Sequence, residues 1–280
     1  EYSLPVASAQ VKSVLLLAGL YAEGPTTLHV PGPARDHTER LLAAMGCTLR
    51  MPAGAPGLRD VQHLQILPTE ELAPLQMEVP GDFSSAAFLA VAAALVAGSE
   101  VTVTGVGLNP TRSGLLKVLQ AMEAKVISGA THLTSGEPVG DLTIQSSHLR
   151  GVEIGGEVVV RMIDELPILA VAATQAEGET VVCDAAELRV KETDRITTTV
   201  EQLRRMGADI KAQPDGFAVR GPTPLVGTRV DSHGDHRLAM ALAIAGLVAR
   251  GETVVDGVDC IADSFPGFVA TMARLGAELR

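Results

Sequence analysis

Residues 165–184 read ELPILAVAATQAEGETVVCD and contain the pattern that decides the fold. An apolar run typical of a buried helix is followed by a glycine and then by ETVVCD, a β-branched segment typical of a strand. The same pattern occurs in residues 8–30, 84–106 and 235–256, so we predict four copies of one α/β unit. Glycines that we expect to close the four helices follow the apolar runs, at Gly24, Gly98, Gly178 and Gly251.

A second, amphipathic helix is predicted in each copy. These helices are expected at residues 35–46, 112–123, 192–207 and 264–276. The third has an apolar stripe formed by Ile196, Val200, Leu203 and Met206, with Glu201, Arg204 and Arg205 facing away. The first helices are apolar nearly all round, so we expect them to be buried beneath the second helices. Each unit is then roughly β-α-β-α-β-β, and the fold class is α/β (α+β).

The proline-rich residues 68–80 interrupt this repeat and are the expected domain boundary. One unit precedes the boundary and three follow it, which gives predicted domains at residues 1–75 and 76–280. A single unit is too small to form a stable hydrophobic core alone. Because the sequence also begins with Glu1 instead of Met, we expect further units upstream of this chain.

Composition excludes several broad classes of protein. The net charge of −11 argues against a general nucleic-acid or membrane-surface binder. The three cysteines are far apart and form no CxxC motif, which fits a reducing cytoplasm. The longest apolar runs are too short to span a bilayer. Because the chain has a negative net charge, any anion site must be local, formed by a few converging Lys and Arg side chains.

Two short motifs indicate such a local anion site. KETDR at residues 191–195 and GDHR at residues 234–237 each precede or begin a predicted helix. A cation at Arg237 opposes the dipole of its helix, so it is better explained as part of an anion seat at the helix N-terminus. The histidine of this motif, His236, is expected to be a local hydrogen-bonding partner.

From the residues alone, purely structural roles are open for the charged side chains in and near these motifs. Asp164 could be the N-cap of the helix that follows it. Glu192 is also a candidate first-turn acid, and Arg195 a candidate surface ion pair. Lys191 could equally be a solvated side chain.

The group Asp231, His233, Asp235 and His236 has the residue types of a metal site. Because no further ligand motif accompanies it elsewhere in the chain, we expect no metal. The cysteines have no neighbouring base, so thiol catalysis is not expected.

Lys12 is expected on a helix surface or at the domain seam.

Six motifs together resemble the 5-enolpyruvylshikimate-3-phosphate (EPSP) synthase family, the 3-phosphoshikimate 1-carboxyvinyltransferases. They are SAQVKS (8–13), RDHTE (35–39), IDELPILA (163–170), LRVKETDR (188–195), GDHRLAMA (234–241) and SFPGF (264–268). The resemblance covers essentially the whole chain and is closest to the divergent bacterial class often described as glyphosate-tolerant. It implies six βαβαββ units in two domains, of which about four are present here. Residues 1–75 would be the remainder of the N-terminal substrate-binding domain and residues 76–280 the C-terminal domain.

The resemblance also implies the chemistry. In the shikimate pathway of aromatic amino-acid biosynthesis, phosphoenolpyruvate donates its enolpyruvyl group to the 5-hydroxyl of shikimate 3-phosphate, and phosphate is released. The reaction proceeds by addition and elimination, with no metal or redox cofactor. The resemblance also implies that the enzyme is cytoplasmic and is the target of glyphosate. The expected partners are these two small molecules and a missing N-terminal segment of the same enzyme, without nucleic acid or membrane.

Residue roles are carried over onto matching positions. Asp164 would be the base for the substrate hydroxyl, Glu192 would exchange a proton at C3, and Lys191 would stabilise developing charge. Shikimate 3-phosphate would be held by Ser8, Ala9, Gln10, Arg35, Asp164 and Lys191, and phosphoenolpyruvate by Gln10, Arg195 and Arg237. The boundary near Pro80 would be one strand of a hinge, with Ser8–Gln10 on one side of it and Asp164, Glu192, Arg195 and Arg237 on the other.

The sequence departs from the family pattern in two places. The early Lys-Ser-x-Ser-x-Arg segment, Gly-rich loop and Arg-Pro motif of the family do not appear, and Asp263 stands where many members have lysine. We therefore expect little or no turnover from this chain alone. Two alternatives remain: a UDP-N-acetylglucosamine enolpyruvyl transferase, against which KETDR and GDHR argue, and an inactive binding fragment of the same fold.

Overall fold

The computed structural model describes residues 1–51 and 61–279. Its α-helices are α1 (Ala9–Gly19), α2 (His37–Ala44), α3 (Phe83–Leu95), α4 (Gly114–Ala121), α5 (Glu157–Val160), α6 (Leu166–Gln175), α7 (Arg195–Arg205), α8 (His236–Val248) and α9 (Phe268–Arg274). Its strands are β1 (Tyr2–Ser3), β2 (Thr26–Pro31), β3 (Leu49–Arg50), β4 (Val61–Ile66), β5 (Glu100–Gly107), β6 (Lys125–Thr134), β7 (Glu137–Gln145), β8 (Glu153–Ile154), β9 (Gly178–Val182), β10 (Asp209–Gln213), β11 (Gly216–Gly221), β12 (Arg229–Asp231) and β13 (Val254–Asp256). Short 3-10 helices cover Ile163–Glu165, Ala186–Val190 and Val258–Asp263.

Sheet topology shows the internal repeat directly. In the first sheet the order is β1-β2-β4-β3, with β1 parallel to β2 and the other neighbours antiparallel. The sheet β8-β9-β11-β10 has the same order and the same directions. The sheet β5-β7-β6 repeats the last three positions, and an isolated parallel bridge between Gly81 and Val106 occupies the first. In the fourth copy, β12 and β13 form the parallel pair. The predicted α/β class is confirmed, and the first three copies follow the βαβαββ repeat, whereas the described residues of the fourth comprise β12, α8, β13 and α9.

The chain divides into two compact units. Unit 1 comprises Glu1–Pro80, Gly107–Arg112 and Thr131–Val139, and unit 2 comprises Gly81–Val106, Ser113–Ala130 and Gly140–Arg280. The first division follows the proline-rich stretch. The two short segments of unit 1, residues 107–112 and 131–139, are here called the strap, and their place in unit 1 was not predicted from the sequence. The assignment of residues 1–75 and 76–280 to particular domains of a larger enzyme stays a prediction.

The core of unit 2 is built from the apolar first helices of three repeats. Helices α3, α6 and α8 pack against one another, and most of their residues are buried. The expected burial is therefore confirmed for these three helices. It is wrong for α1, in which only Lys12, Leu16 and Gly19 are buried.

The predicted stripe on the second helix of the third repeat is confirmed. Ile196, Val200, Leu203 and Met206 are buried, whereas Glu201, Arg204 and Arg205 are exposed. The helix itself, α7, begins at Arg195, three residues later than predicted.

Among the described residues, no helix has both the length and the apolar character needed to cross a bilayer.

The expectation that glycines close the first helices is wrong. Helices α3, α6 and α8 each end with a residue in extended conformation, at Val96, Ala176 and Ala249. The glycine follows two residues later, with φ of 74° at Gly98, 101° at Gly178 and 88° at Gly251. These glycines therefore make the left-handed turn into the next strand instead of capping the helix. Gly24 is further displaced, since α1 ends at Gly19.

Candidate functional site

A buried guanidinium lies at the centre of the polar cluster in unit 2. Arg195, the first residue of α7, has a side chain that is only 1% exposed. Its Nε donates to Asp235 Oδ2 at 2.6 Å, its Nη1 to Asp164 Oδ1 at 3.3 Å and its Nη2 to Glu192 Oε2 at 2.5 Å. The alternative role of Arg195 in a surface ion pair is therefore wrong, because its side chain is buried.

A second guanidinium reaches the same carboxylate from another helix. Arg237 lies in the first turn of α8, as expected, and its Nη2 is 3.6 Å from Asp164 Oδ2. Its Nη1 is 3.8 Å from Glu165 Oε1. Asp164 therefore lies between Arg195 and Arg237, so the structure brings together three residues that the sequence places far apart.

Asp235 organises both arginines and was missed as a site residue. Its carboxylate is fully buried and accepts from the backbone N–H groups of Arg237 and Leu238, at 2.9 and 3.3 Å, which caps α8. The same carboxylate accepts from Arg195. The available signal was its position directly before an apolar helix in GDHR, where an N-cap is expected; sequence analysis considered it only as a metal ligand.

Asp164 and Glu165 occupy a 3-10 turn before α6, Ile163–Glu165. The N-cap position of α6 is Glu165, without a side-chain capping bond, so the alternative role of Asp164 as an N-cap is wrong. Glu165 is buried and accepts from the hydroxyl of Ser84 on α3 at 2.6 Å. The turn thus places one acid beside the arginines and anchors the other in the core.

Glu192 and Lys191 lie in a bend before α7. Because α7 begins at Arg195, the alternative role of Glu192 as a first-turn acid is wrong. The bend still brings Glu192 to Arg195, and its side chain stays 50% exposed. Lys191 forms an ion pair with Glu187, outside the arginine cluster. Of the two, Glu192 is the better placed to meet a ligand of Arg195.

Carboxylates outnumber guanidinium groups in this cluster. Two arginines face four acids, namely Asp164, Glu165, Glu192 and Asp235. Burial and then the neighbouring Arg237 lower the pKa of His236 below its ordinary value, so this histidine adds no cation at neutral pH. An anion can therefore bind Arg195 and Arg237 only if Glu192 turns outward or further cations join the site.

The remaining predicted site residues lie in unit 1. Ser8 caps α1, where its Oγ accepts from Val11 N at 3.3 Å, and Ala9 and Gln10 form the first turn. A cavity of about 380 Å³ lies beside them. Its lining is Ala9, Gln10, Ser13, Val14, Arg35, His37 and Thr38. The SAQ and RDHTE motifs thus meet at one cavity.

Buried contacts join the starts of α1 and α2 at this cavity. Lys12 Nζ lies 2.5 Å from Glu39 Oε1, and the Lys12 side chain is almost completely buried. Ser13 Oγ and Thr38 Oγ1 are 2.6 Å apart. The surface position expected for Lys12 is therefore wrong, and the position at the domain seam stays a prediction. Two helix N-termini at one cavity, with Arg35 beside them, form a suitable seat for an anion.

The acids of DSHGDHR have other partners. His233 N donates to Asp231 Oδ1 at 2.7 Å, and Asp235 is committed to Arg195 and α8. Across residues 1–51 and 61–279, no three His, Cys, Asp or Glu side chains are grouped as metal ligands would be.

Comparisons with known proteins agree on one family. The family model described as EPSP synthase (3-phosphoshikimate 1-carboxyvinyltransferase) matches residues 1–272. A 3-phosphoshikimate 1-carboxyvinyltransferase of Desulforamulus reducens is 48% identical over 99% of this chain, and one of Herpetosiphon aurantiacus is 51% identical over 98%. The chain spans 63% of the length of each of these curated relatives.

Solved structures show the same relationship. EPSP synthase from Acinetobacter baumannii superposes with a TM-score of 0.90 at 40% identity, covering 98% of this chain and 62% of that one. The enolpyruvyl transferase NikO from Streptomyces tendae has a TM-score of 0.76 at 22% identity, covering 95% and 58%. This second likeness shows the shared fold alone.

Proposed function

Because the chain belongs to the EPSP synthase family, we propose that it carries part of the active site for enolpyruvyl transfer from phosphoenolpyruvate to the 5-hydroxyl of shikimate 3-phosphate. The observation that carries this proposal is the convergence of Arg195 and Arg237 on the carboxylate of Asp164. Two guanidinium groups from different helix starts suit a small ester that bears both a carboxylate and a phosphate.

Unit 2 would hold phosphoenolpyruvate and perform the proton transfers. Arg195 and Arg237 would bind its anionic groups. Asp164, held between them, would accept the proton of the attacking hydroxyl, and the half-exposed Glu192 would exchange a proton with C3. Lys191 would stabilise charge after leaving Glu187.

Unit 1 would hold shikimate 3-phosphate at the cavity beside α1 and α2. The Ser8 hydroxyl, the N–H groups at the helix start and Arg35 supply donors for its phosphate. Gln10, which is exposed at the same cavity, would bind ring or enolpyruvyl oxygens. The hinge near Pro80 stays a prediction.

We propose that further polypeptide of the same enzyme completes the site. The excess of carboxylates around Arg195 calls for added cations, and the chain spans 63% of its curated relatives. A third observation concerns α1, whose exposed face carries Val11, Val14 and Leu17. The equivalent helices of unit 2 bury such residues against two neighbours.

The sugar-nucleotide alternative gains no support from these relatives, which carry the name 3-phosphoshikimate 1-carboxyvinyltransferase. The other alternative, that the chain is an inactive binding fragment of the same fold, is tested by the activity measurement described below.

The reducing cytoplasm expected from the separated cysteines stays a prediction.

The test is co-purification of this chain with a polypeptide that corresponds to the upstream third of a relative. Phosphate release that requires both shikimate 3-phosphate and phosphoenolpyruvate should appear in the mixture and be negligible for either part alone. Release with UDP-N-acetylglucosamine as the acceptor, or no release from a mixture that binds shikimate 3-phosphate, would contradict the proposal.

Arg237→Ala in the active mixture tests the assignment of phosphoenolpyruvate. Loss of one guanidinium should raise the KM for phosphoenolpyruvate at least about tenfold, since charge-assisted bonds are worth roughly 1.5–3 kcal/mol, and should leave the KM for shikimate 3-phosphate nearly unchanged. Arg250→Ala, at an exposed position beyond the other end of α8, is the matched control. Equal effects of the two variants would remove Arg237 from the site.

A further inference from the structure

Several side-chain interactions join the strap of unit 1 to the start of α2. Glu137 Oε1 lies 2.8 Å from His37 Nδ1. Asn109 Nδ2 donates to Asp36 Oδ1 at 2.7 Å and to Glu137 Oε2 at 3.0 Å. Arg40 Nη1 donates to the carbonyl of Gly136 at 2.9 Å. The strap therefore holds the residues on both sides of the α2 N-terminus, at one edge of the unit 1 cavity.

Two of these strap side chains are buried. Glu137 and Asn109 have almost no exposed surface. A buried carboxylate is costly unless donors surround it, so the two donors to Glu137 are structural requirements. Burial acts to raise the pKa of the neighbouring Asp36, but hydrogen bonds from Arg40, Asn109 and Thr111 outweigh it and lower that pKa. Asp36 is therefore an acceptor at neutral pH, as the bond from Asn109 requires.

The hydrogen bonds determine which ring nitrogen of His37 carries a proton. Asn109 Nδ2 also lies 3.3 Å from His37 Nδ1, but the amide has only two N–H groups, and these make the shorter bonds to Asp36 and Glu137. Because a carboxylate only accepts, the 2.8 Å contact requires a proton on His37 Nδ1. In the neutral ring Nε2 is then unprotonated and has a lone pair to offer.

His37 is also part of the cavity wall. Its side chain is 44% exposed, and it lines the cavity with Gln10 and Arg35. With Nδ1 committed to Glu137, the ring meets a ligand through its other nitrogen. A neutral Nε2 accepts a hydrogen bond from a hydroxyl group, whereas a phosphate, which has no hydrogen to donate when fully ionised, gains nothing from it.

We propose that Glu137, supported by Asn109, is a positioning residue that keeps His37 in the Nδ1–H tautomer and so presents Nε2 as the acceptor for a hydroxyl of the ligand in the unit 1 cavity. This inference rests on the proposed function, because shikimate 3-phosphate is the hydroxylated phosphoester expected there. It assigns a task to a buried acid of the strap, which is remote from the cavity residues in the sequence.

The substitution Glu137→Gln tests the tautomer in the intact chain. Asn109 must still donate to the side chain at 137, so the new amide turns its oxygen to Asn109 and its NH₂ group to His37 Nδ1. That orientation favours the Nε2–H tautomer. Nitrogen-15 NMR of the histidine rings, with His37 assigned from a His37→Asn variant, should show protonated Nδ1 in the unaltered chain and protonated Nε2 in Glu137→Gln. Glu71→Gln, at an exposed position of unit 1, should change nothing.

Ligand titrations followed by the same NMR signals separate positioning from a merely structural role. Glu137→Gln should weaken shikimate 3-phosphate binding about fivefold, the effect of one neutral hydrogen bond, and leave unchanged the binding of methyl phosphate in mildly alkaline solution, where its dianion has no hydrogen to donate. Equal weakening of both ligands would mean that Glu137 only supports the fold and would overturn the inference. An Nε2–H tautomer in the unaltered chain would overturn it as well.

The two proposals fail in different ways. If the unaltered chain shows the expected tautomer but does not bind shikimate 3-phosphate, even at millimolar concentration and with the upstream polypeptide added, the proposed function is contradicted. If shikimate 3-phosphate binds and leaves the His37 Nε2 signal unmoved, this inference alone is overturned.

Discussion

The carboxylate of Asp235 shows how one side chain sets the geometry of a charged cluster. It caps α8 through two backbone N–H groups and accepts from Arg195 Nε in the same buried position. A buried charge is tolerated only when its partners are in place, and removing one partner leaves the other uncompensated. Asp235 therefore couples the start of α8 to the direction of the Arg195 guanidinium.

We expect Asp235→Asn to lower the free energy of unfolding by about 2 kcal/mol, because hydrogen bonds to charged groups contribute roughly 1.5–3 kcal/mol. The amide keeps part of the helix cap and loses the charge that faces Arg195. Urea unfolding at constant m-value measures the change. The control Asp209→Asn, at an exposed position on β10, should stay within about 0.5 kcal/mol of the unaltered chain. A neutral result for Asp235→Asn would show that Asp164 and Glu192 suffice for Arg195.

The KETDR motif shows how far a residue-level prediction reaches. The predicted helix began at Glu192, whereas α7 begins at Arg195 and Glu192 lies in the bend before it. Glu192 nevertheless accepts from the Arg195 guanidinium. The burial of Arg195 was not visible in the motif, since burial depends on neighbours from α6 and α8.

At the scale of the element, α7 owes its start to a local cap. Asp194 Oδ1 accepts from Thr197 N at 3.1 Å, and its Oδ2 accepts from Arg189 at 2.7 Å. Burial acts to raise the pKa of Asp194, but the bonds from Thr197 and Arg189 together lower it below the ordinary value. The charged form is thus favoured by folding, and Asp194 stabilises the native state at pH values above its ordinary pKa.

The variant Asp194→Ala should lose about 1 kcal/mol of stability at pH 7, a usual value for an N-cap. The difference should shrink as the pH falls below about 3.9, the ordinary aspartate pKa, and through the lower folded-state pKa, where the protonated acid loses its advantage. Chemical unfolding between pH 7 and pH 3 measures this. Glu201→Ala, on the exposed face of the same helix, is the control. A difference that does not vary with pH would mean that the charge of Asp194 is irrelevant.

Helix α1 differs from its counterparts in what surrounds it. Its outward residues include Val14 at 65% exposure and Leu17 at 49%, although the equivalent faces of α3, α6 and α8 are buried. The apolar sequence predicts burial, and no described element of the chain provides it. An exposed apolar helix face of this kind is typical of an interaction surface.

We expect Leu17→Glu to leave the unfolding of the isolated chain nearly unchanged and to abolish recovery of activity with the upstream polypeptide. A charge placed at a site that becomes apolar on association is costly. Ile127→Glu, at a comparably exposed position on β6, should retain recovery. Full recovery with Leu17→Glu would show that this face of α1 is not part of the association surface.

At the scale of the whole molecule, the two units have cores of different size. Unit 1 has a small cluster that includes Leu16, Leu28 and Ile66. Unit 2 contains the three mutually packed helices α3, α6 and α8 and the greater part of the buried residues. Burial of apolar area is the main source of stability, so the units should differ in their resistance to denaturant.

We predict that unit 1 unfolds at a lower urea concentration than unit 2. Hydrogen exchange should show loss of protection in α1 and α2 before α6 and α8. Leu16→Ala and Leu169→Ala are matched probes, because both leucines are fully buried and such changes cost roughly 2–5 kcal/mol. Each should lower only the transition of its own unit. A single transition that moves equally with either substitution would show that the chain unfolds as one cooperative body.

The sequence by itself determined the repeated α/β unit, the order of its elements and the faces of α7, because periodicity, caps and turns depend on residues that are near one another in the chain. The tertiary structure decided which charges meet. Arg195 and Asp235 are 40 positions apart, and His37 and Glu137 are 100 positions apart. Only folding of the repeats and the strap brings such groups within hydrogen-bond distance, and their burial makes those pairings obligatory.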